Sequence, residues 1–133
     1  MNWQVFELKT FSDQRGSLTP IELSEFIDFE PKRIYTVHHN LETRGGHSHY
    51  TEKEFFVMTS GTCTAQIHDG NEWQNIKMEA NKQAIFVGQN IWHQFTDFSQ
   101  DGVLLALSST KYNPERVDYL ENFEEFLLKY GNK

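Results

Sequence analysis

The sequence contains one cysteine, Cys63, among 133 residues. A single thiol excludes an internal disulfide framework and is compatible with a reducing compartment. The chain also lacks an apolar run of membrane-spanning length, and its N-terminus lacks a basic region followed by an apolar core. These absences predict a soluble cytoplasmic protein with no membrane segment and no secretion signal.

Positive charge is scarce as well. Twelve Lys and Arg residues stand against nineteen Asp and Glu residues, which gives a net charge of -7 and an isoelectric point near 5.3. This balance argues against nucleic-acid binding, which needs a basic surface for the phosphates. An anionic small molecule would therefore have to be bound by a few well-placed arginines.

Most of the chain consists of short segments in which apolar and polar residues alternate. They are separated by turn signals, of which Asp69-Gly70-Asn71 is the strongest. We find no internal repeat, no low-complexity stretch and no linker, so residues 1–133 are predicted to form a single domain. The pattern is typical of an all-β sandwich or barrel. Predicted strands cover residues 3–8, 18–23, 33–37, 54–59, 62–68, 73–78, 84–87, 92–95 and 103–108.

The C-terminal region differs from the rest. Pro114 suits the first turn of a helix, and Gly131 suits its end. Apolar residues recur between them at helical spacing, namely Val117, Leu120, Phe123, Phe126, Leu127 and Tyr130. We predict one amphipathic C-terminal helix packed on the outside of the barrel.

The segment from Arg44 to His49 holds the clearest chemical signal. In a strand, His47 and His49 point to the same face. Gly45 and Gly46 before them permit a tight bend or a close approach to a ligand. Two imidazoles on one face suit either metal ligation or proton transfer near neutral pH.

The chain resembles the cupin superfamily, whose members are small jelly-roll β-barrels. The resemblance rests on two motifs at family-like spacing, although the second lacks the proline that many cupins carry. The matching residues are Gly45, His47, His49, Glu54 and Gly61, then Gly88 and His93.

Within that superfamily, the chain most resembles the sugar-nucleotide 3,4-ketoisomerases. The resemblance extends over nearly the whole chain, and the segments stand in the family's order. They are residues 14–18, 32–35, 44–49, 87–93 and 118–123. It implies an isomerase that converts dTDP-4-keto-6-deoxyglucose into a dTDP-3-keto-6-deoxyhexose. Such enzymes serve deoxyamino-sugar biosynthesis for surface glycans such as lipopolysaccharide.

Catalytic roles follow from this resemblance. It implies that His49 is the base, with His47 as its partner in proton transfer or oxygen polarisation. Tyr35 would hydrogen-bond a sugar oxygen.

Binding roles follow in the same way. Arg44 and Arg33 would bind the diphosphate, because a guanidinium offers the forked geometry that phosphate prefers. Arg15 and His93 would face the sugar. The resemblance further implies a homodimer with N-terminal strands exchanged or packed between subunits, no cofactor, and a pathway aminotransferase that acts on the product.

Glu54 departs from the family, which often carries Gln at this position. Together His47, His49, Glu54 and His93 form the full ligand set of a metal-binding cupin. A metal-dependent cupin oxygenase is therefore one alternative. The others are a sugar-nucleotide 3,5-epimerase and a sugar-binding cupin without catalysis. We assign no site role to His38, His39 or His68.

Overall fold

Two five-stranded antiparallel sheets form the body of the protein in a computed structural model that describes residues 2–131. The first sheet has the strand order β1-β9-β6-β11-β4 and the second has β12-β5-β10-β7-β8, while β2 and β3 form a separate hairpin. The strands are β1 (Trp3–Glu7), β2 (Phe11–Asp13), β3 (Gly16–Leu18), β4 (Arg33–His38), β5 (Arg44–His49), β6 (Glu54–Ser60), β7 (Thr62–His68), β8 (Trp73–Glu79), β9 (Gln83–Val87), β10 (Trp92–Thr96), β11 (Val103–Ser108) and β12 (Tyr119–Leu120). This is the predicted all-β jelly-roll architecture.

The main core lies between the two sheets. Alternation along each strand sends every second side chain inward. Cys63, Ala65 and Ile67 of β7 therefore share one buried face, as their spacing predicts. They pack against side chains of the opposite sheet, including Phe56 of β6 and Leu104 of β11.

Each sheet is also covered on its outer face. A short helix, α1 (Leu23–Phe26), belongs to a segment that packs over Phe55 and Val57 of the first sheet. The C-terminal helix, α2 (Phe123–Tyr130), packs over Trp92 of the second. Neither helix combines the length and the apolar character that crossing a membrane requires.

The predicted strand at residues 18–23 is wrong. The chain leaves strand conformation after Leu18, where β3 ends, and enters α1 at Leu23. Apolar side chains of this region, Ile21 and Phe26, instead cover the first sheet from outside. Periodicity alone does not separate a short strand from an apolar connection.

The C-terminal helix exists, but its predicted start near Pro114 is wrong. Arg116 has a left-handed φ of 55°, which breaks a right-handed helix, and Tyr119 and Leu120 pair with β5 as a strand. The helix begins only after Asn122, whose side chain accepts a hydrogen bond of 2.9 Å from the backbone N–H of Glu125. This contact is an N-cap.

Substitution of Phe126 by Ala will destabilise the fold by about 3–5 kcal/mol, because it leaves a cavity beneath α2. Phe126 is fully buried, whereas Leu128 of the same helix is 76% exposed. Leu128→Ala is therefore the matched control and will change stability little. Urea unfolding of both variants measures the difference, and equal losses would contradict the packing described.

Candidate active site

Three histidines meet where β5 runs beside β10. His47 and His49 come from β5, and His93 of β10 stands opposite His47 in the strand register. The ring centroid of His47 lies 4.7 Å from that of His49 and 4.9 Å from that of His93. The pairing of His47 with His49, predicted from strand alternation, is therefore a feature of the fold.

Gly45 explains how β5 approaches β10 so closely. Its φ is +93°, and a Cβ placed there would lie 3.0 Å from the carbonyl oxygen of His93. Only glycine adopts this conformation without strain and leaves that space open. The strand register also shifts between His93 and Gln94, which is where a bulge aims a side chain differently.

Glu54 lies at the centre of the cluster and is almost fully buried. Its Oε1 is 3.1 Å from Nε2 of His49 and 3.3 Å from Nε2 of His93. Its Oε2 accepts a hydrogen bond of 2.5 Å from the hydroxyl of Tyr35. Burial opposes ionisation, but the interactions with the two histidines outweigh it and hold the pKa of Glu54 well below its ordinary value.

The two histidines of β5 differ in their electrostatic surroundings. Burial, together with the neighbouring His93 and His49, lowers the pKa of His47 to about 2, so its imidazole is neutral. Burial also acts against protonation of His49, but Glu54, Glu52 and Asp118 outweigh it and raise the pKa of His49 above its ordinary value. Environments that push the pKa values of adjacent groups apart are typical of acid–base sites.

A cavity of about 470 Å³ opens on this cluster. His47, Glu54, His93 and Tyr35 line one part of it. Its wall also contains three arginines, Arg33, Arg44 and Arg116, in a chain of net charge -7. The cavity thus combines groups that can exchange protons with cations that can bind an anion.

Each arginine is held by a neighbour. Nη2 of Arg33 donates hydrogen bonds of 3.1 Å to Glu52 and to Ser108. Arg44 donates through Nε to Asn40 at 3.0 Å. The guanidinium of Arg116 lies 3.8 Å from the ring centroid of Tyr119, an aromatic residue that also lines the cavity.

Most of the predicted site residues line this cavity, and two do not. His49 lies just behind the wall, 2% exposed, with its ring 4.7 Å from that of His47. Neither of its ring nitrogens has a partner in hydrogen-bonding geometry within residues 2–131. Arg15 lies outside the cavity, in the β2–β3 hairpin, where it forms an ion pair with Asp13.

Sequence reasoning missed three cavity residues that carry a hydroxyl or a charge, Tyr112, Arg116 and Tyr119. All three belong to the segment before α2. Arg116 and Tyr119 fell inside the predicted helix, which hid their role. The net negative charge of the chain was the available signal for Arg116, because an anionic ligand would need one of the few cations.

The four candidate metal ligands are also brought together. One donor atom from each of His47, His49, Glu54 and His93 lies within 4.8 Å of the others. Their number and chemistry suit a divalent ion such as zinc or iron. The two carboxylate oxygens of Glu54 also contact His49, His93 and Tyr35. These contacts link the four side chains into one acid–base network.

Comparisons with known proteins agree with this geometry. A family described as FdtA, WxcM-like, C-terminal, matches residues 1–130. The TDP-4-oxo-6-deoxy-alpha-D-glucose-3,4-oxoisomerase of Aneurinibacillus thermoaerophilus is 34% identical over 97% of this chain and 95% of its own.

Solved structures give the same result. A 3,4-ketoisomerase from Helicobacter canadensis superposes with a TM-score of 0.86 at 30% identity, covering 98% of both chains. The 3,4-ketoisomerase QdtA of Thermoanaerobacterium thermosaccharolyticum, solved as a mutant in complex with TDP-4-keto-6-deoxyglucose, gives 0.85 at 27% identity over 97% of this chain and 94% of its own. The chain belongs to the FdtA, WxcM-like, C-terminal family.

Proposed function

We propose that this protein catalyses the 3,4-ketoisomerisation of dTDP-4-keto-6-deoxyglucose. The observation that carries the proposal is the convergence of His47, Glu54 and His93 on an arginine-lined cavity. Family membership over nearly the whole chain supports it. A 470 Å³ cavity is within the size range of small-molecule sites.

Charge orients the substrate in this proposal. The diphosphate carries the negative charge of the substrate, and Arg33, Arg44 and Arg116 offer the cations of the cavity wall. Guanidinium groups bind phosphate oxygens through paired hydrogen bonds. The 4-keto sugar then lies towards the histidines and Glu54.

The reaction moves hydrogen between two carbons and their oxygens. A base removes the proton from C-3, which is acidic because it lies next to the C-4 ketone, and an enediol forms. A proton is then delivered to C-4, while the C-3 hydroxyl gives up its proton and becomes the ketone. The net change is one C–H and one O–H hydrogen transferred, with no redox partner.

His49 acts as the base, and its conjugate acid supplies the proton to C-4. Its Nε2 faces Glu54, which lines the cavity, and a raised pKa suits a group that takes and returns a proton near neutral pH. Neutral His47 hydrogen-bonds the reacting oxygens and helps transfer the hydroxyl proton. The hydroxyl of Tyr35, which contacts Glu54, faces a sugar oxygen, and His93 faces the sugar.

We further infer a homodimer built through the N-terminal hairpin. Phe11 and Leu18 of that hairpin are 57% and 66% exposed, and Ile34 on the edge strand β4 is 61% exposed. A partner subunit would bury these apolar side chains and could bring Arg15 towards a sugar. We also propose that the protein is cytoplasmic and that an aminotransferase consumes its 3-keto product.

A proton NMR time course in deuterium oxide tests the reaction. We expect exchange at C-3 and the appearance of a 3-keto product. His49→Asn will lower the rate by about 10²–10⁴-fold, the usual contribution of a general base. His38→Asn, which changes an exposed histidine, is the matched control. Exchange at C-5 would support an epimerase, and unchanged turnover by His49→Asn would remove His49 from the mechanism.

Chelator treatment separates the acid–base network from a metal centre. We expect full turnover by protein shown by elemental analysis to be metal-free, because histidines and Tyr35 already engage both oxygens of Glu54. Activity that returns only with zinc, iron, manganese or nickel would assign the four-ligand set to catalysis.

The neutral state of His47 predicts a loss of stability in acid. An unfolded histidine takes up a proton below about pH 6.5, whereas folded His47 resists protonation down to about pH 2. The unfolded state therefore binds more protons, and the free energy of unfolding falls by up to about 1.4 kcal/mol per pH unit below that point. The raised pKa of His49 has the opposite effect. Its contribution to the free energy of unfolding is present in acid and is lost as the pH rises.

Urea unfolding between pH 7 and pH 5 measures this slope. His47→Asn will flatten it, because the variant lacks the group that the unfolded chain protonates. His38→Asn will keep the wild-type slope. A slope unchanged by His47→Asn would show that the folded protein protonates His47 readily.

A further inference from the structure

One part of the cavity wall is apolar. Within residues 2–131, every residue that lines the cavity carries a nitrogen or an oxygen in its side chain, except Gly45 and four others. We call these four the apolar floor, and they are Val37, Phe56, Phe95 and Leu104. Each is at most 7% exposed, and all four belong to the main core between the sheets. Because a packed core supports it from behind, the floor is a fixed surface.

Strand alternation separates the floor from the polar end of the cavity. On three strands, a floor residue follows a polar residue of the cavity wall by two positions, so both side chains point to the same face. The pairs are Tyr35 and Val37 on β4, Glu54 and Phe56 on β6, and His93 and Phe95 on β10.

Contacts among the floor residues hold them together beside the histidines. The ring centroids of Phe56 and Phe95 lie 4.7 Å apart, and Leu104 stands opposite Val37 in the strand register. The ring centroid of Phe56 lies 5.7 Å from that of His93. The apolar floor therefore begins directly beside the groups that can exchange protons.

The sugar of the proposed substrate has one substituent that suits this floor. Outside the ring, C-1 to C-4 each carry an oxygen atom, whereas C-5 carries a methyl group, C-6. C-5 is bonded to C-4, which is one of the two reacting carbons. With the diphosphate at the arginines, and with C-3 and C-4 at the histidines and Glu54, the methyl group reaches the wall that lacks polar side chains.

We propose that the apolar floor binds the C-6 methyl group and selects 6-deoxy sugars over sugars that carry a hydroxymethyl group at C-5. The inference rests on the proposed function, because that function places C-3 and C-4 at the polar end. A methyl group against Phe56 and Leu104 gains free energy by leaving water. A C-6 hydroxyl there would lose its hydrogen bonds to water, and the floor side chains offer it no partner.

Calorimetric titration with dTDP-6-deoxyglucose and dTDP-glucose tests the proposal. The two probes differ only in the C-6 hydroxyl, and neither has the ketone that the reaction requires. We expect wild-type protein to bind the 6-deoxy probe about 10–100-fold more tightly, the usual discrimination of an apolar pocket. Equal affinities, or a preference for dTDP-glucose, would overturn the proposal.

Val37→Thr tests whether the floor causes the preference. Thr has nearly the shape of Val but adds a hydroxyl group, which can hydrogen-bond the C-6 hydroxyl of dTDP-glucose. We expect the affinity ratio of the two probes to fall about 3–10-fold, the worth of one hydrogen bond.

Val57→Thr is the matched control. Val57 is buried as well, but it packs on the outer face of the first sheet and does not line the cavity. We expect this variant to keep the wild-type ratio. A ratio unchanged in folded Val37→Thr, or lowered equally by both variants, would overturn the role of the floor. The wild-type titration tests the proposal even if Val37→Thr does not fold.

Turnover separates this proposal from the proposed function. Wild-type protein that prefers the 6-deoxy probe but does not isomerise dTDP-4-keto-6-deoxyglucose would overturn the proposed function, while the floor would keep its role in binding. Protein that isomerises this substrate but binds both probes equally would overturn the role of the floor alone.

Discussion

The buried carboxylate of Glu54 is the interaction on which the site depends. Removing an ion from water costs several kcal/mol unless partners surround it. Tyr35 contacts one of its oxygens, and His49 and His93 contact the other. These three partners come from β4, β5 and β10. The Glu54 charge therefore interacts with side chains of both sheets and sets the electrostatic environment of the histidine cluster.

The consequences of that charge differ from one histidine to the next. His49, in contact with Glu54, has a raised pKa, while His47, buried beside two other imidazoles, is neutral with a pKa of about 2. In the proposed reaction, proton exchange requires the titratable His49, and polarisation of an oxygen requires the neutral His47 beside it. The cavity arginines place positive charge where the proposed substrate, an anion, would bind in a chain of net negative charge.

Sequence patterns predicted much of this structure. Strand alternation predicted that His47 lies beside His49, and the cupin-like spacing predicted that Glu54 and His93 join them. The structure brings the four residues together. The segment after Pro114 was harder, because Leu120 suits a helix face and a short strand equally well. Its strand pairing depends on β5, a tertiary contact that local periodicity does not encode. The same limit hid the place of Arg116 and Tyr119 in the cavity wall from sequence analysis.

Arg15 illustrates a second limit. The ketoisomerase resemblance groups it with the sugar-facing residues, yet in the single chain it lies in an exposed hairpin, paired with Asp13. Phe11 and Leu18 of the same hairpin are also exposed. In the proposed homodimer, the partner subunit would determine whether Arg15 lies near a sugar.

The pH profile of kcat/KM, compared between the wild type and Glu54→Gln, tests directly whether Glu54 controls the protonation of His49. Activity should fall on the acidic side as the base His49 becomes protonated. Because Glu54 raises the pKa of His49, we expect this acidic limb to move to lower pH in Glu54→Gln. A limb that stays in place would show that Glu54 does not control the protonation of His49, which would contradict the role proposed for Glu54.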